Sequence, residues 1–303
     1  STPIKSSAAS DVYKRQTLRV MLRIAIQSKG RLYEESMALL EEAGIKIPGG
    51  KRTLLVPARN FPVEMLFLRD DDIPESVASG VADVGIVGLN EVMEKRCPVG
   101  ILKKLGFGKC RLSLAIPQDI DYQDRNWFSG KKIATSYPGI LSDYLHKNGI
   151  VSDIHVITGS VEIAPGIRLA DAIFDIVSSG STLVSNRLKE VETVVESEAV
   201  LIGTDSISPE KRGILDELLF RFDSVQAADD KKYILMNVPQ KKLNDVLSVL
   251  PGIKSPTVMP LADKEWCSVH TVLDEKCFWE IIGKLKALGA EGILVLPIEK
   301  MII

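Results

Sequence analysis

Short apolar runs alternating with amphipathic stretches constrain this chain more tightly than any other feature. LRIAIQ at 22–27, TLLV at 53–56, EMLFL at 64–68 and DVGIVG at 83–88 have the length and composition of buried strands, and helical patterns lie over 32–43 and from Pro74 onward. Continuous apolar runs of that length suit strands covered on both faces, so the alternation predicts an α/β sheet. A second series follows, with RLSLAIP at 111–117, KKIATS at 131–136, a helical stretch at 137–148, DIHVI at 153–157 and AIFDIV at 172–177. It predicts another lobe of the same kind. The C-terminal stretch differs: strand 232–238, helix 240–250, strands 257–261 and 267–273, helix 276–288 and strand 292–297. That order is βαββαβ, and Phe278, Ile281, Ile282, Leu285 and Leu288 share one helical face that can cover a four-stranded antiparallel sheet, as in a ferredoxin-like module.

Composition narrows the class without choosing a function. At 303 residues, 45% hydrophobic and 26% charged, the chain is long enough for two or three domains with their own cores. A formal net charge of -2 leaves no basic footprint, which argues against nucleic acid as a partner. No apolar run approaches the ~18 residues a membrane span requires. Cys97, Cys110, Cys267 and Cys277 show no C-x-x-C pairing and no signal peptide is recognisable, so free thiols in a reducing, cytoplasmic compartment are expected. His146, His155 and His270 are scattered, and neither a zinc site nor a Ser-His-Asp triad is suggested. Residues 1–20 are Ser-rich and polar. They read as a disordered leader outside the fold, either a transit peptide or an extension.

The segment Glu162 to Leu183, EIAPGIRLADAIFDIVSSGSTL, carries most of the chemistry. AIFDIV reads as a short buried strand, Ser178, Ser179, Gly180, Ser181 and Thr182 as the loop after it, and 183–190 as a helix. First-turn N–H groups have no intrahelical partner, and with the hydroxyls of the loop they make a phosphate site that Gly180 lets the backbone approach. Asp171 and Asp175 can accept hydrogen bonds from sugar hydroxyls. The competing reading is a helix N-cap after an ordinary strand with two solvated acids.

This segment closely resembles the signature of ATP phosphoribosyltransferase, the enzyme that opens histidine biosynthesis. LRIAIQSKGRL from Leu22, LRDDDIPESVASGVADVGIVGLNEV from Leu68, GFGKCRLSLA from Gly106, KKIATSYP from Lys131, SPTVMPLAD and LGAEGILVLPIEKM resemble that family in order along the chain. One residue departs from the pattern: Arg168 stands where the signature has Gly. The resemblance implies a bilobal catalytic region like periplasmic binding proteins, with lobe I at 21–112 and 193–224 and lobe II at 113–192. The chain would cross near Leu112 and return near Thr193, with ETVVESEAVLIG and a helix over 209–222 completing lobe I. Residues 225–303 would form the regulatory domain of the long form.

The implied reaction is displacement of pyrophosphate from C1 of phosphoribosyl pyrophosphate by N1 of the adenine of ATP, with Mg2+ held mostly by substrate oxygens and water rather than by a dedicated protein site. Arg31, Arg52, Asp171 and Asp175 are the expected catalytic residues. Glu162, Asp171, Asp175 and the 178–182 loop would take phosphoribosyl pyrophosphate, and Lys29, Gly30, Arg31, Arg69, Asp70, Asp83, Lys109 and Cys110 would take ATP. Each cation alone is as readily a solvated charge at a strand end, and Asp70 to Asp72 can simply complement the helix opened by Pro74. For histidine as feedback inhibitor the resemblance points to Asn237, Ile253, Thr257, Val272, Ala290 and Gly292, with Asn237 in place of the Asp of some members. It also implies a homo-oligomer, a hexamer built from dimers. Two alternatives stand beside this reading: a catalytically silent small-molecule binder of solute-binding-protein fold, and a phosphoribosyltransferase acting on another base.

Overall fold

The computed structural model describes residues 20–48, 53–251 and 255–302. The leader reading of 1–19, and the expected site residues Arg52 and Ile253, therefore lie outside the described residues. The chain divides into two compact units, one running to Glu217 and one from Leu218.

The first unit contains two sheets. In chain order the elements are β1 (Leu22–Gln27), α1 (Arg31–Glu42), β2 (Leu55–Pro57), β3 (Val63–Leu68), α2 (Ile73–Ala78), β4 (Val84–Gly88), α3 (Leu89–Lys95), β5 (Gly100–Lys104), β6 (Cys110–Pro117), β7 (Lys132–Thr135), α4 (Pro138–Lys147), β8 (Asp153–Val156), β9 (Ala172–Val177), α5 (Ser181–Ser185), β10 (Leu188–Ser197) and β11 (Ala199–Gly203). Lobe I is built on the order β2-β3-β1-β4-β11-β5, in which β1 runs parallel to β3 and β4. Its central strands bury both faces, as their unbroken apolar sequences require: Ile24, Ala25, Ile26, Val84, Ile86 and Val87 are fully enclosed. Gly85 is needed for this packing, since a Cβ there would lie 2.6 Å from the Ile73 side chain of α2.

Lobe II is built on the order β10-β6-β9-β7-β8. Alternation along β9 sorts its residues between two cores. Ala172 and Phe174 join Phe128, Leu141 and Leu145 on one face, and Ile173 and Val177 join Val161, Ala164 and Leu183 on the other. Each fully buried large side chain contributes about 1.5–3 kcal/mol.

Three expectations change. The stretch ETVVESEAVLIG is not one lobe I strand: through Ser197 it is β10, paired with β6 of lobe II, and from Ala199 it is β11, paired with β4 of lobe I, with Glu198 alone between them. The helix expected over 183–190 ends at Ser185 and gives way to β10, because Leu188 onward finds pairing partners on β6. The helix expected over 209–222 continues as α6 (Pro209–Ala228).

The second unit has β12 (Lys231–Pro239), α7 (Leu243–Val249), β13 (Thr257–Pro260), β14 (Trp266–Asp274), α8 (Glu275–Ala287) and β15 (Glu291–Pro297). Strand order β13-β14-β12-β15, with every pairing antiparallel, is the ferredoxin-like arrangement read from the sequence. Phe278, Ile281 and Leu285 of α8 pack on Ile234, Met236, Val238 and Val269 of the sheet.

Arg168, the departure from the signature, has φ 59, and its N–H donates to the carbonyl of Pro165 at 3.0 Å. Glycine reaches that left-handed backbone without strain, whereas a residue with a Cβ costs roughly 1–2 kcal/mol there. Arg168→Gly is expected to raise the urea midpoint of the first unit by the equivalent of roughly 0.5–1 kcal/mol, after the added entropy of an unfolded glycine is subtracted. A lowered midpoint would show that the arginine side chain offsets the strain.

Candidate functional site

Parallel strands carry their chain ends to one edge, and the cleft forms where those carboxyl ends meet. Gln27 ends β1, Asp70 follows β3, Gly88 ends β4, and Ser178 follows β9 from the other lobe. All four line one cavity of about 250 Å³, together with Arg31, Lys109 and Cys110. A second cavity of about 560 Å³ shares Lys109, Cys110 and Ser178 and adds Arg111 and Glu196. Arg31 opens α1 directly after Gly30, whose φ of 93 makes the turn. Its Nε donates to Glu35 at 3.1 Å and its Nη1 to the Ser178 hydroxyl at 3.4 Å, so one guanidinium spans both lobes. Burial pushes the Cys110 thiol up, against the pull of the Ser197 hydroxyl and of Arg31.

The loop after β9 is held from beneath. Arg111 pairs with Glu190 through Nε and Nη2, both at 2.5 Å, and its Nη1 donates to the Ser178 carbonyl at 3.1 Å. Glu190 also accepts from the hydroxyls of Ser113 at 2.7 Å and Thr193 at 3.1 Å. Thr193 is three residues from Glu190 and would face away in a regular strand, but the register shift in β10 between Glu190 and Glu192 turns it back. Arg111 and these hydroxyls bring the Glu190 carboxylate down to about 2. Within the loop Gly180 has φ 80, and the hydroxyls of Ser179 and Ser181 lie 2.9 Å apart. Ser178, Ser179, Ser181 and Thr182 are all exposed at the start of α5, as a phosphate site requires.

Asp175 faces the same side of the lobe II sheet as Ile173 and Val177 and lies opposite Ser113. Burial raises its carboxyl to about 6; the N–H of Ile176, donating at 2.8 Å, lowers it, and the nearby Glu162 raises it again. Glu162 and Asp175 are thus brought together as expected.

Other expected residues are not. Asp171 sits at the amino end of β9, where it accepts the N–H of Lys132 at 2.8 Å, roughly 13 Å of strand from Asp175. Asp83 sits at the amino end of β4, where it accepts the N–H of Arg23 at 2.8 Å and the Lys211 ammonium at 2.7 Å. Both acids tie the ends of strands together on the side away from the cleft. Lys29 and Arg69 are exposed and stand outside both cavity linings. Of the expected ATP set, Arg31, Asp70, Lys109 and Cys110 converge.

The sequence did not single out Gln27, Glu91, Tyr137 or Ser197. The only signal was the turn GLNE after β4, which places Asn90 and Glu91 at a strand's carboxyl end. The Tyr137 hydroxyl donates to Glu91 at 2.9 Å, and Asn90 Nδ2 donates to Glu91 at 3.0 Å. Asn90 N donates to the Ser197 hydroxyl at 3.1 Å. Burial raises the Glu91 carboxyl, Tyr137 lowers it, and Asp70 raises it further.

In the second unit, Ala290 and Gly292 line a groove of about 580 Å³ between α8 and β15, with Phe278, Trp279 and Ile282. A Cβ on Gly292 would come within 3.1 Å of Asn237 Nδ2, so those two residues are neighbours. Thr257 lies opposite His270, and Val272 opposite Tyr233. Thr257 is therefore three strands from Gly292, roughly 14 Å across the sheet, and the expected effector residues among those described do not form one pocket within a single chain.

Fold and cleft define a two-lobed α/β protein shaped to hold phosphorylated ligands between its lobes. The family described as ATP phosphoribosyltransferase matches residues 69–224, and that described as HisG, C-terminal domain, matches 228–300. Proteins named ATP phosphoribosyltransferase from Bacteroides fragilis and Phocaeicola vulgatus are each 72% identical over 283 residues, which cover 93% of this chain and 100% of theirs. One from Cytophaga hutchinsonii is 57% identical over 285 residues, 94% of this chain and 100% of its own. Among solved structures, a chain of the ATP phosphoribosyl transferase (HisG:HisZ) complex from Thermotoga maritima is 27% identical with a TM-score of 0.57, covering 67% of this chain and 98% of that one. The chain belongs to the ATP phosphoribosyltransferase family.

Two outcomes follow for the acids. Asp83→Asn and Asp171→Asn are expected to lower thermal stability by about 1–3 kcal/mol while leaving turnover within about twofold, since each exchanges a charged structural acceptor away from the cleft for a neutral amide; a tenfold loss of turnover in either would return that acid to the site. Asp175 behaves oppositely. Its folded value lies above the ordinary 3.8, so its contribution to stability is fully present below pH 3.8 and is lost as pH rises through about 6. Asp175→Asn should therefore be more stable than wild type at pH 8, by up to about 3 kcal/mol, and the gap should close toward pH 4 in urea titrations. A gap independent of pH would place the raised proton elsewhere.

Proposed function

We infer that this chain transfers the phosphoribosyl group from phosphoribosyl pyrophosphate to N1 of the adenine of ATP, releasing pyrophosphate, the first step of histidine biosynthesis. The observation that carries this reading is the meeting of Ser178, the first residue of the hydroxyl-rich loop after β9, with Arg31, Asp70 and Lys109 in one cavity, in a chain of this family. A solute binder needs no such pairing of acid and phosphate loop, and nothing favours the silent alternative.

The chemistry asks for position and charge rather than for a protein nucleophile. As pyrophosphate leaves, the sugar carbon becomes cationic and the leaving group gains negative charge. The loop at 178–182 takes the 5-phosphate. Asp175 and Glu162, at the adjoining end of β9 and close to one another, accept the ribose hydroxyls and oppose the growing positive charge. Arg31 and Lys109, exposed at the cleft, neutralise the polyphosphates. The described residues contain no grouping of three or more His, Cys, Asp or Glu that could cage a metal ion. Mg2+ is proposed to enter on the substrate's phosphate oxygens, where it would supply charge neutralisation for the leaving pyrophosphate.

Histidine is proposed as feedback inhibitor acting on the second unit, at the Asn237, Ala290 and Gly292 cluster with Thr257 and Val272 supplied from elsewhere in an oligomer. A hexamer built from dimers is the proposed assembly and the cytoplasm the proposed location. Among the described residues no helix is long and apolar enough to cross a membrane.

The test mixes purified protein with ATP, phosphoribosyl pyrophosphate and Mg2+, and follows nucleotide absorbance and pyrophosphate release with and without histidine. Turnover is expected, with Asp175→Asn losing about tenfold or more in kcat/KM through a lost charge-assisted hydrogen bond. No turnover with intact ligand binding would overturn the reading. Thr257→Trp is expected to relieve histidine inhibition, and unaltered inhibition would remove Thr257 from the effector site.

A further inference from the structure

The cleft is lined from two lobes, so its geometry depends on what fixes one lobe against the other. At the wall of the cavity, which Asn90 and Glu91 help to line, α3 of lobe I meets the start of α4 of lobe II through buried polar groups. The hydroxyl of Tyr137, 8% exposed, donates to the carboxyl of Glu91, 7% exposed, at 2.9 Å. Asn90, 4% exposed, donates through Nδ2 to both Glu91 at 3.0 Å and the Tyr137 oxygen at 3.2 Å. The Ser197 hydroxyl, at the end of the strand that returns the chain to lobe I, donates to Asn90 Oδ1 at 2.9 Å. One turn further along α3, the Glu94 carboxylate accepts the N–H groups of Gly139 at 2.8 Å and Ile140 at 2.9 Å, capping α4 from the opposite lobe. Arg96 closes the set by donating to the Gly139 carbonyl at 3.0 Å and to Asp143 at 2.7 Å.

A buried hydrogen-bonded network of this kind is costly when half made, so it favours one arrangement of its partners over nearby ones. Opening the lobes at α3 would strand the Tyr137 hydroxyl and two helix-start amides together and leave the Glu91 carboxyl with Asn90 as its donor. We propose that Glu91 and Tyr137 are positioning residues for the transfer reaction: their hydrogen bond holds the lobes at the separation that lets Arg31, Lys109 and the Ser178 loop face one cavity before either substrate arrives. The proposal rests on the functional reading above for its kinetic consequence, and on the lobe contacts alone for its structural one. Substrate binding then needs little closing motion, and binding energy otherwise used to bring the lobes together is available at the reacting centre.

The amides of Gly139 and Ile140 report the contact directly, because they are bonded across the lobes. In hydrogen-exchange mass spectrometry without ligand, Tyr137→Phe is expected to speed exchange of the peptide containing them roughly fivefold, the factor that ~1 kcal/mol converts to at 25 °C. In initial-rate kinetics the same variant should raise KM for both substrates by about that factor, with a smaller fall in kcat, since saturating substrates re-close the lobes. A double-mutant cycle with Glu91→Ala should find the double variant no worse than the more impaired single one. If a single variant fails to fold, Glu91→Gln, which keeps the acceptor oxygen and removes the charge, takes its place in the cycle. Native exchange in Tyr137→Phe, a loss confined to kcat, or strictly additive effects would each overturn the proposal. Exchange needs no turnover, so an inactive wild type would sink the functional reading while leaving the lobe contact decided by exchange alone.

Discussion

The Glu190 carboxylate is the group on which the cleft is built. It gathers two nitrogens of Arg111 and the hydroxyls of Ser113 and Thr193, joining β6 to β10, and through Arg111 it reaches the backbone of Ser178. The loop that faces the ligand is therefore pinned by a carboxylate that does not face it. Asp175 lies on the same side of the same sheet, opposite Ser113, yet has one backbone donor and a neighbouring acid. Identical chemistry thus yields a carboxyl near 2 and one near 6. The first keeps its charge as structure, and the second holds charge that a ligand can exploit.

Strand polarity explains which residues the sequence made legible. Apolar runs announced the central strands of both lobes, because burial on two faces leaves no room for other patterns, whereas the edge strand β5, with little burial, went unread. The motif after β9 announced its loop, because hydroxyls and a glycine between a strand and a helix mark a turn whether they cap the helix or hold a phosphate. Asp83 and Asp171 misled for a common reason: each flanks a strand of a motif, but at its amino end, and a one-dimensional motif does not say which end of a strand meets the cleft. Arg31, Asp70, Lys109 and Ser178, drawn from four separate segments, share a cavity only because the carboxyl ends of β1, β3 and β9 meet there and the antiparallel β6 brings its amino end beside that of β9.

Groups joined across the chain were the least legible. Glu91 and Tyr137 are 46 residues apart and neither belongs to a motif with chemical meaning; an acid after a strand and a tyrosine before a proline are ordinary helix starts. Their significance arises from being buried against one another. The same holds for the division of ETVVESEAVLIG between two sheets, where composition is uniform and only pairing partners distinguish the halves. In the second unit the resemblance named residues that the sheet order separates, a separation that no local pattern encodes.

Glu198 alone joins a strand of one sheet to a strand of the other. Side chains along a strand alternate between faces, so adding or removing one residue at this joint would turn β11 over against both β4 and β5. The outer turns of the lobes can be lengthened without that penalty, and this connection cannot. The angle between its lobes is left to be tuned by exchanges of side chain, and chain length there behaves as a fixed dimension, as the span of a hinge pin does in a machine whose plates are free to change shape.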